Sequence, residues 1–160
     1  MNVQLMAKIY IGSNLQPFNM IFDTGSNILW VNSRVCSNCP FYISKFDERT
    51  SDTFSFYNVV FDLHYGTGDV YGYSSQDQVC FDEDFCSPKF KFINVGYQKD
   101  LGGLRCSGVV GMSPYTTDDN GDLFVEKLHK DGVIDEAVFA LYISLVENKS
   151  KISLGGYDLE

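Results

Sequence analysis

Apolar and polar residues alternate along the start of the chain, and this pattern predicts a buried sheet. Over residues 4–12 every second position is apolar, as in a strand with one buried face. Residues 13–17 have the composition of a turn. Residues 18–22 and 28–31 are dense in bulky apolar and aromatic side chains, which favours two buried strands. The pattern therefore places one carboxylate, Asp23, at a tight turn between two strands.

The middle of the chain predicts a surface loop followed by a hairpin. After Val31 the sequence is irregular as far as Asp52, and its charges and hydroxyls indicate a solvated segment. Two extended runs, residues 57–65 and 69–81, then enclose Gly66-Thr67-Gly68, which is the layout of a hairpin with a glycine-bearing tip. Because such a tip can bend over a ligand, we interpret this hairpin as a lid.

Four further strands are predicted in the second half of the chain, over residues 90–97, 107–112, 138–145 and 151–154. The third of these runs is followed by a predicted turn, residues 147–150. The short apolar run 107–112 is expected to cross the core. With no internal repeat and no low-complexity linker, these elements predict one all-β domain.

One helix is predicted between the second and third of these strands. Asp122 is expected to cap it, and its apolar face consists of Leu123, Phe124 and Leu128. Two lysines near its negative end and a glycine that closes it support this assignment, namely Lys127, Lys130 and Gly132.

The composition and the net charge of the chain favour one class of fold and exclude some kinds of binding partner. A chain of 160 residues suits one domain, and 13 Phe with 10 Tyr in short runs separated by turn residues favours an all-β fold. A formal net charge of −9 repels phosphate backbones and anionic lipid. No stretch approaches the length of a membrane span. We therefore expect neither nucleic acid nor a membrane surface as a partner.

The five cysteines are compatible with two interpretations, disulfide bonds or a metal site. Proximity in sequence favours two disulfides, Cys36 with Cys39 and Cys80 with Cys86, which leaves Cys106 as a buried thiol. The alternative is a metal site at Cys36-Ser37-Asn38-Cys39, but zinc needs about four ligands and no matching second pair is evident. Two disulfides would indicate a secretory or vacuolar compartment.

The segment Phe22-Asp23-Thr24-Gly25-Ser26 is the candidate for chemistry. Ionised carboxylates are rarely left unpaired in a core, so Asp23 either caps its own turn or is held there for a reaction. Gly25 permits close backbone approach, and the residues on either side supply hydroxyl and N–H groups that can hold a carboxylate.

Together with Leu29-Trp30-Val31, this segment resembles the first active-site loop of pepsin-like aspartic proteases. Three later segments are also similar to that family, in the same order. They are Tyr65-Gly66-Thr67-Gly68 at the tip of the substrate-covering flap, Gly108-Val109-Val110-Gly111 behind the catalytic loop, and Gly155-Gly156-Tyr157-Asp158 at the end of the amino-terminal lobe.

The resemblance implies a fold and a role for each matched residue. The expected fold is an acid-protease lobe of mixed β-sheets with a flap hairpin and one or two short helices. Asp23 is the expected catalytic residue; Gly25 and Ser26 hold its carboxylate, and Thr24 braces the partner lobe. Tyr65 lies over the cleft with its hydroxyl bonded to the Trp30 indole, while Gly66 and Thr67 offer backbone groups to a peptide. The bridge between Cys36 and Cys39 resembles one that the family often forms.

The resemblance also implies a reaction that needs neither metal nor cofactor. In this family two carboxylates share one proton and activate a water that attacks the peptide bond. The sequence has a single Asp-Thr/Ser-Gly motif, so it supplies one of them. We therefore expect residues 1–160 to form the amino-terminal lobe of a bilobal endopeptidase, with the second aspartate in a carboxyl-terminal lobe absent from this chain.

Three other interpretations of the Asp23 motif imply a different kind of protein or no special function. A single-lobe protease could build its pair of carboxylates by two-fold dimerisation, as retroviral-type enzymes do. A noncatalytic binding module on the same scaffold, or an ordinary turn capped by Asp23, would need no second aspartate. The chain starts without a basic, apolar leader, so we expect a signal and a propeptide to have been cut off and the full-length protein to be secreted or vacuolar.

Overall fold

Strands dominate the computed structural model, which describes residues 4–101, 103–115, 121–146 and 149–157. Within these residues the strands are β1 (Met6–Ile11), β2 (Gln16–Asp23), β3 (Trp30–Ser37), β4 (Ser55–Tyr65), β5 (Gly68–Asp82), β6 (Phe85–Lys99), β7 (Gly108–Gly111), β8 (Phe139–Tyr142) and β9 (Lys151–Leu154). A 3-10 helix, Glu48–Thr50, and one α-helix, α1 (Phe124–Lys130), complete the fold. The predicted all-β class is confirmed.

Seven of the strands form one mixed sheet, in the order β1-β2-β7-β3-β6-β5-β4. The short strand β7 runs parallel to β2 and antiparallel to β3, and all its residues are buried. It therefore crosses the core between the strands that flank the Asp23 loop, as the sequence predicts. Strands β8 and β9 form a separate antiparallel pair.

Both faces of the large sheet are covered. One face carries a cluster rich in phenylalanine, which includes Phe46, Phe92 and Phe124, and the other carries a cluster with Trp30 and Ile93. Phe92 and Ile93 are neighbours on β6 and belong to different clusters, because successive side chains of a strand point to opposite faces.

Strand β3 differs from the prediction. It begins at Trp30 instead of residue 28, and it continues to Ser37 where an irregular segment was expected after Val31. The side chain of Asn32 is fully buried, and its Oδ1 accepts a hydrogen bond of 2.6 Å from Nε2 of Gln98. A polar residue whose amide oxygen is bonded to a distant residue has no signature in the local sequence, so the prediction ended the strand too early.

The helix is present, but the predicted cap is wrong. Leu123 takes the N-cap position without a side-chain hydrogen bond, while the Asp122 carboxylate accepts the backbone N–H of Lys91 at 2.8 Å. Asp122 therefore ties the start of α1 to β6 instead of capping the helix. At the other end, Gly132 has a φ of 72° and closes the helix as predicted.

Several boundaries also shift. Strand β6 is longer than the predicted run 90–97, and β8 is shorter than the predicted run 138–145. Part of the predicted turn at 147–150, Glu147 and Asn148, lies outside the described residues. Helix α1 has only seven residues, and within the described ranges no helix is long and apolar enough to span a bilayer.

Both predicted disulfides are present. Cys36 is bonded to Cys39, so these thiolates are not available as metal ligands, and Cys80 is bonded to Cys86, its direct cross-strand neighbour on β6. Cys106 is a free and buried cysteine, and burial raises its thiol pKa to about 11.

Candidate active site

Asp23 is the last residue of β2 and is fixed by the neighbouring strand. It pairs with Gly111 of β7, and its backbone oxygen accepts the N–H of Met112 at 2.8 Å. The adjoining residue, Phe22, is buried in the phenylalanine-rich cluster. Strong apolar burial on one side and backbone pairing on the other therefore hold the carboxylate at the carboxyl end of a core strand.

The loop after Asp23 turns back onto its carboxylate. The backbone N–H of Gly25 donates to Oδ1 of Asp23 at 3.0 Å. The Ser26 hydroxyl is buried and faces the hydroxyl of Tyr65, and its predicted bond to Asp23 stays a prediction. Thr24 is exposed, which leaves it accessible to a partner.

The same loop is anchored to β7 and to the residues that follow it. The backbone N–H of Gly111 donates to the oxygen of Ile28 at 3.1 Å, and that of Ser113 donates to the oxygen of Ser26 at 2.9 Å. Both ends of the loop are thus tied to one buried segment. These backbone bonds, together with the burial of Phe22, hold Asp23 in place.

The predicted flap is a hairpin of β4 and β5, closed by the pair Tyr65 and Gly68. The indole N–H of Trp30 donates to the Tyr65 hydroxyl at 2.8 Å, and the two rings lie 6.3 Å apart. Gly66 and Thr67 are exposed at the tip. The end of the hairpin is therefore held by Trp30, the first residue of β3, and the tip residues Gly66 and Thr67 stay exposed to solvent.

Tyr65 remains a neutral phenol over the whole acid and neutral range. Burial raises its pKa to about 12, and the negative charge of Asp23 acts in the same direction, against the hydrogen bonds with Trp30 and Ser26. The hydroxyl accepts from Trp30 and keeps its own proton to donate. It can therefore contribute a donor to whatever occupies the space between flap and Asp23.

That space is a cavity of about 370 Å³. Asp23, Thr24, Trp30, Tyr65 and Thr67 line it, so the structure brings together these residues that the sequence singled out. Its apolar walls include Val109, which lies in the motif that the sequence analysis placed behind the catalytic loop. They also include residues that the sequence analysis missed, because these belong to loops and strand ends far apart in sequence: Leu101, Leu104, Leu141 and Ile143.

The chemistry of this cavity is that of one carboxylate and several hydrogen-bond donors in apolar surroundings. Within the described part of the chain no group of three or more His, Cys, Asp or Glu side chains is placed to hold a metal ion. The Asp23 carboxylate can accept a proton or orient a water molecule, and Thr67 of the exposed hairpin tip lines the same cavity.

The bond between Trp30 and Tyr65 leads to a first prediction. Tyr65→Phe removes the acceptor of an indole N–H whose residue is fully buried, so we expect a loss of about 1–3 kcal/mol in the free energy of unfolding. Chemical denaturation of the full-length protein measures this loss. Tyr42→Phe is the matched control, because Tyr42 is 61% exposed. Equal stability of the two variants would show that the bond contributes nothing.

His64 lies beside the flap tip and contacts carboxylates on both flap strands. Its Nδ1 lies 2.8 Å from Oδ1 of Asp69, its cross-strand neighbour, and its Nε2 lies 3.5 Å from Oδ1 of Asp62. Lys99 approaches Asp69 from β6 at 4.0 Å. The hydrogen bond to Asp69 and the charge of Asp62 raise the pKa of His64 above its ordinary value of 6.5, against the opposing effects of desolvation and Lys99.

We expect this contact to brace the flap only when His64 is protonated. Because the folded-state pKa is raised, its stabilising contribution is fully present below about pH 6.5 and is lost as the pH rises through the folded-state value. Asp69→Asn should therefore lower the pKa of His64, and should lower the melting temperature more at acidic than at alkaline pH. NMR titration of the His64 ring protons checks the shift. The exposed control Asp52→Asn should leave that titration unchanged, and an unchanged titration in Asp69→Asn would contradict the assignment.

Comparison with known proteins gives a consistent match along the chain. The family model described as eukaryotic aspartyl protease matches residues 4–160. A probable vacuolar protease A from Arthroderma benhamiae is 31% identical over 99% of the chain, which covers 41% of that relative. Pregnancy-associated glycoprotein 4 from Ovis aries is 34% identical over 96% of the chain, again covering 41% of the relative. Human napsin-A is 31% identical over 98% of the chain, which covers 39% of it.

Proposed function

Because this chain belongs to the eukaryotic aspartyl protease family, we propose that it forms the amino-terminal lobe of a bilobal aspartic endopeptidase. In this proposal Asp23 supplies one of the two carboxylates that activate the attacking water, and the flap carrying Tyr65, Gly66 and Thr67 covers the substrate. The substrate is a peptide or an unfolded protein segment. Family membership supports the reaction class, and the residues around Asp23 support the assignment of roles.

The observation that carries the proposal is the setting of the Asp23 carboxylate. It stands at the end of a buried strand, accepts the N–H of Gly25 and lines a cavity beneath a tyrosine that is itself bonded to Trp30. A carboxylate that only capped its turn would not require a lid or an apolar cavity. This setting suits a general acid and base at an exposed scissile bond.

The second carboxylate is proposed to come from a carboxyl-terminal lobe. The chain spans about two fifths of the length of the curated relatives that it matches, at 41% of one and 39% of another. Next to the cavity, the end of β8 and the following loop expose a strip of apolar side chains, Tyr142, Ile143, Leu145 and Val146. Exposed apolar surface of this kind marks an interaction site, and a second lobe seated there would complete the cleft.

The proposed mechanism divides two roles between the two carboxylates. One takes a proton from the attacking water while the other donates a proton to the leaving amine nitrogen. Asp23 alone can be base or acid at a given moment, but it cannot perform both steps on one water and one amide. The exposed backbone groups of the flap tip would pair with an extended peptide, as an added strand pairs with a sheet edge.

The names of the relatives indicate a cellular compartment for the full-length protein. Several are vacuolar proteases, which supports the predicted secretory or vacuolar location of the full-length protein. The two disulfides fit the same oxidising environment.

Two other functions remain as outcomes of the test. A homodimeric single-lobe protease would build its second carboxylate from another copy of Asp23, and a noncatalytic module would bind peptides without cleaving them.

Peptide hydrolysis by the full-length protein and by residues 1–160 alone tests the proposal. Between about pH 3 and 6 we expect the full-length protein to cleave an unstructured protein and to be inhibited by pepstatin. We expect no cleavage by residues 1–160, because this chain supplies only one of the two carboxylates that the reaction needs. Pepstatin-sensitive cleavage by the short chain that rises with the square of its concentration would favour the homodimer. Binding without cleavage by the full-length protein would favour the noncatalytic module.

A further inference from the structure

Strand β4 forms one edge of the seven-stranded sheet. It pairs with β5 on one side, and no strand among the described residues pairs with its other side. Residues 55–60, the first part of this strand, are all exposed. The backbone N–H and C=O groups that point away from β5 are therefore open to solvent along this stretch. An open edge of this kind can accept a strand from another chain.

The exposed stretch lacks the charges and prolines that commonly protect an edge strand. Residues 55–61 include no charged residue, no proline and no glycine, although the whole chain has a net charge of −9. Four of the side chains in this stretch are large, apolar or aromatic, and exposed: Val60 (67%), Phe56 (56%), Val59 (51%) and Tyr57 (39%). Contiguous exposed apolar surface on a charged protein marks an interaction site.

The middle of the stretch is held by β5 only at its two ends. Phe56 pairs with Ser75 and Val60 pairs with Tyr73, so residues 57–59 have no paired residue on β5. Because the partners on β5 are two residues apart, Phe56 and Val60 lie on the same face of the sheet. The bulge therefore preserves the alternation of side chains while it leaves backbone groups of residues 57–59 available to a second strand.

Two copies of this stretch complement each other in an antiparallel pair centred on Asn58. In that register Phe56 lies opposite the partner's Val60, and Tyr57 lies opposite the partner's Val59. Aromatic and β-branched side chains form favourable cross-strand pairs. Asn58 lies opposite its own copy, and two amides can donate to and accept from each other. Moving the centre by one residue would instead place Asn58 opposite Phe56 or Val60.

We propose that two copies of this protein associate by antiparallel pairing of β4 with β4, centred on Asn58. The occupant of the edge is a second copy because the stretch matches itself residue by residue, without bringing like charges together. The interface is isologous, so it closes after two copies and does not continue into a fibre. None of residues 55–61 lines the Asp23 cavity, and Asn58 lies about 20 Å along the strand from Tyr65, so the flap tip stays uncovered.

Sedimentation of the full-length protein tests the association. Between about 1 and 100 μM, near physiological salt, we expect a monomer–dimer equilibrium. Val60→Lys places a cation opposite the partner's Phe56 and should weaken dimerisation about tenfold or more. Phe41→Lys is the matched control, because it makes the same change of charge at a side chain that is 94% exposed and lies outside β4. A protein that stays monomeric over this range, or a dimer that Val60→Lys leaves unchanged, would overturn the proposal.

Cysteine substitution in the full-length protein tests the register. Where a residue lies opposite its own copy in an antiparallel pair, the two Cα atoms are about 4.5–5.5 Å apart, a distance that suits a disulfide. Asn58→Cys should therefore form a covalent dimer under mild oxidation. Phe41→Cys, an exposed site off the strand, should form far less, and the native Cys106 is buried. Equal crosslinking of the two variants would refute the proposed pairing.

The folding and the activity of Val60→Lys separate this association from the proposed protease function. Melting temperatures verify that the variant folds, and the crosslinking result stands without it if it does not. A folded Val60→Lys protein should cleave substrate at the wild-type rate, since Val60 does not line the Asp23 cavity. Both tests of association report mass alone, so their outcome does not depend on whether Asp23 catalyses hydrolysis.

Discussion

Asp23→Asn is expected to abolish peptide hydrolysis by the full-length protein and to leave its fold intact. The substitution is nearly isosteric and keeps an oxygen that can accept the N–H of Gly25, now 3.0 Å from Oδ1. Among the described residues that line the cavity, it removes the only carboxylate. Because positioned acid and base groups contribute about 10²–10⁴-fold to a rate, the loss should be of that order or larger.

The measurement is the cleavage rate of an unstructured protein between about pH 3 and 6, together with the melting temperature. Asp52→Asn is the matched control, since Asp52 is an exposed aspartate of the loop before β4 and lies outside the cavity. It should cleave at the wild-type rate. An Asp23→Asn protein that folds and keeps more than a tenth of wild-type activity would refute the catalytic role of Asp23.

The parts of the fold that follow from local patterns were predictable. Alternating residues gave β1, and the glycine-bearing tip between two extended runs gave the hairpin of β4 and β5. The disulfide between Cys80 and Cys86 was predicted from their proximity in sequence, and the two residues lie directly opposite each other on β5 and β6.

The parts that depend on distant partners were not predictable. Asn32 is buried on a strand because Gln98, on β6, satisfies its amide oxygen, and Asp122 fails to cap its helix because Lys91 offers it a backbone N–H. The cavity walls formed by Leu101 and Leu104 show the same limitation. Each outcome depends on a contact between segments that are far apart in sequence. The spacing of apolar residues within one segment does not show which other segment it will contact.

The position of Asp23 depends on Gly111, and the need for glycine at this position is not evident from the neighbouring sequence. Gly111 is not in the left-handed region, so its backbone conformation does not require glycine. A Cβ built on it would lie directly against the backbone nitrogen of Ile28 and 2.5 Å from the carbonyl carbon of Asn27. The missing side chain is therefore what allows β7 to approach the loop that follows Asp23 closely enough to bond to it.

Gly111→Ala is expected to destabilise the protein by about 3 kcal/mol or more, at the upper end of the usual cost of overpacking. The colliding atoms belong to the backbone and cannot rotate away, so either β7 or the loop must move. Such a movement would break the bond from Gly111 to the oxygen of Ile28 and would shift Asp23, with which Gly111 pairs. Activity should therefore fall even in the fraction of molecules that stay folded.

Chemical denaturation and the cleavage rate per folded molecule separate these two effects. Gly156→Ala is the matched control, because its added Cβ meets no atom within 4 Å and its backbone is not in the left-handed region. This variant should match the wild type in both measurements. If Gly111→Ala proves as stable and as active as Gly156→Ala, the close approach of β7 to the loop does not set the position of Asp23, and side-chain packing around Phe22 must do so instead.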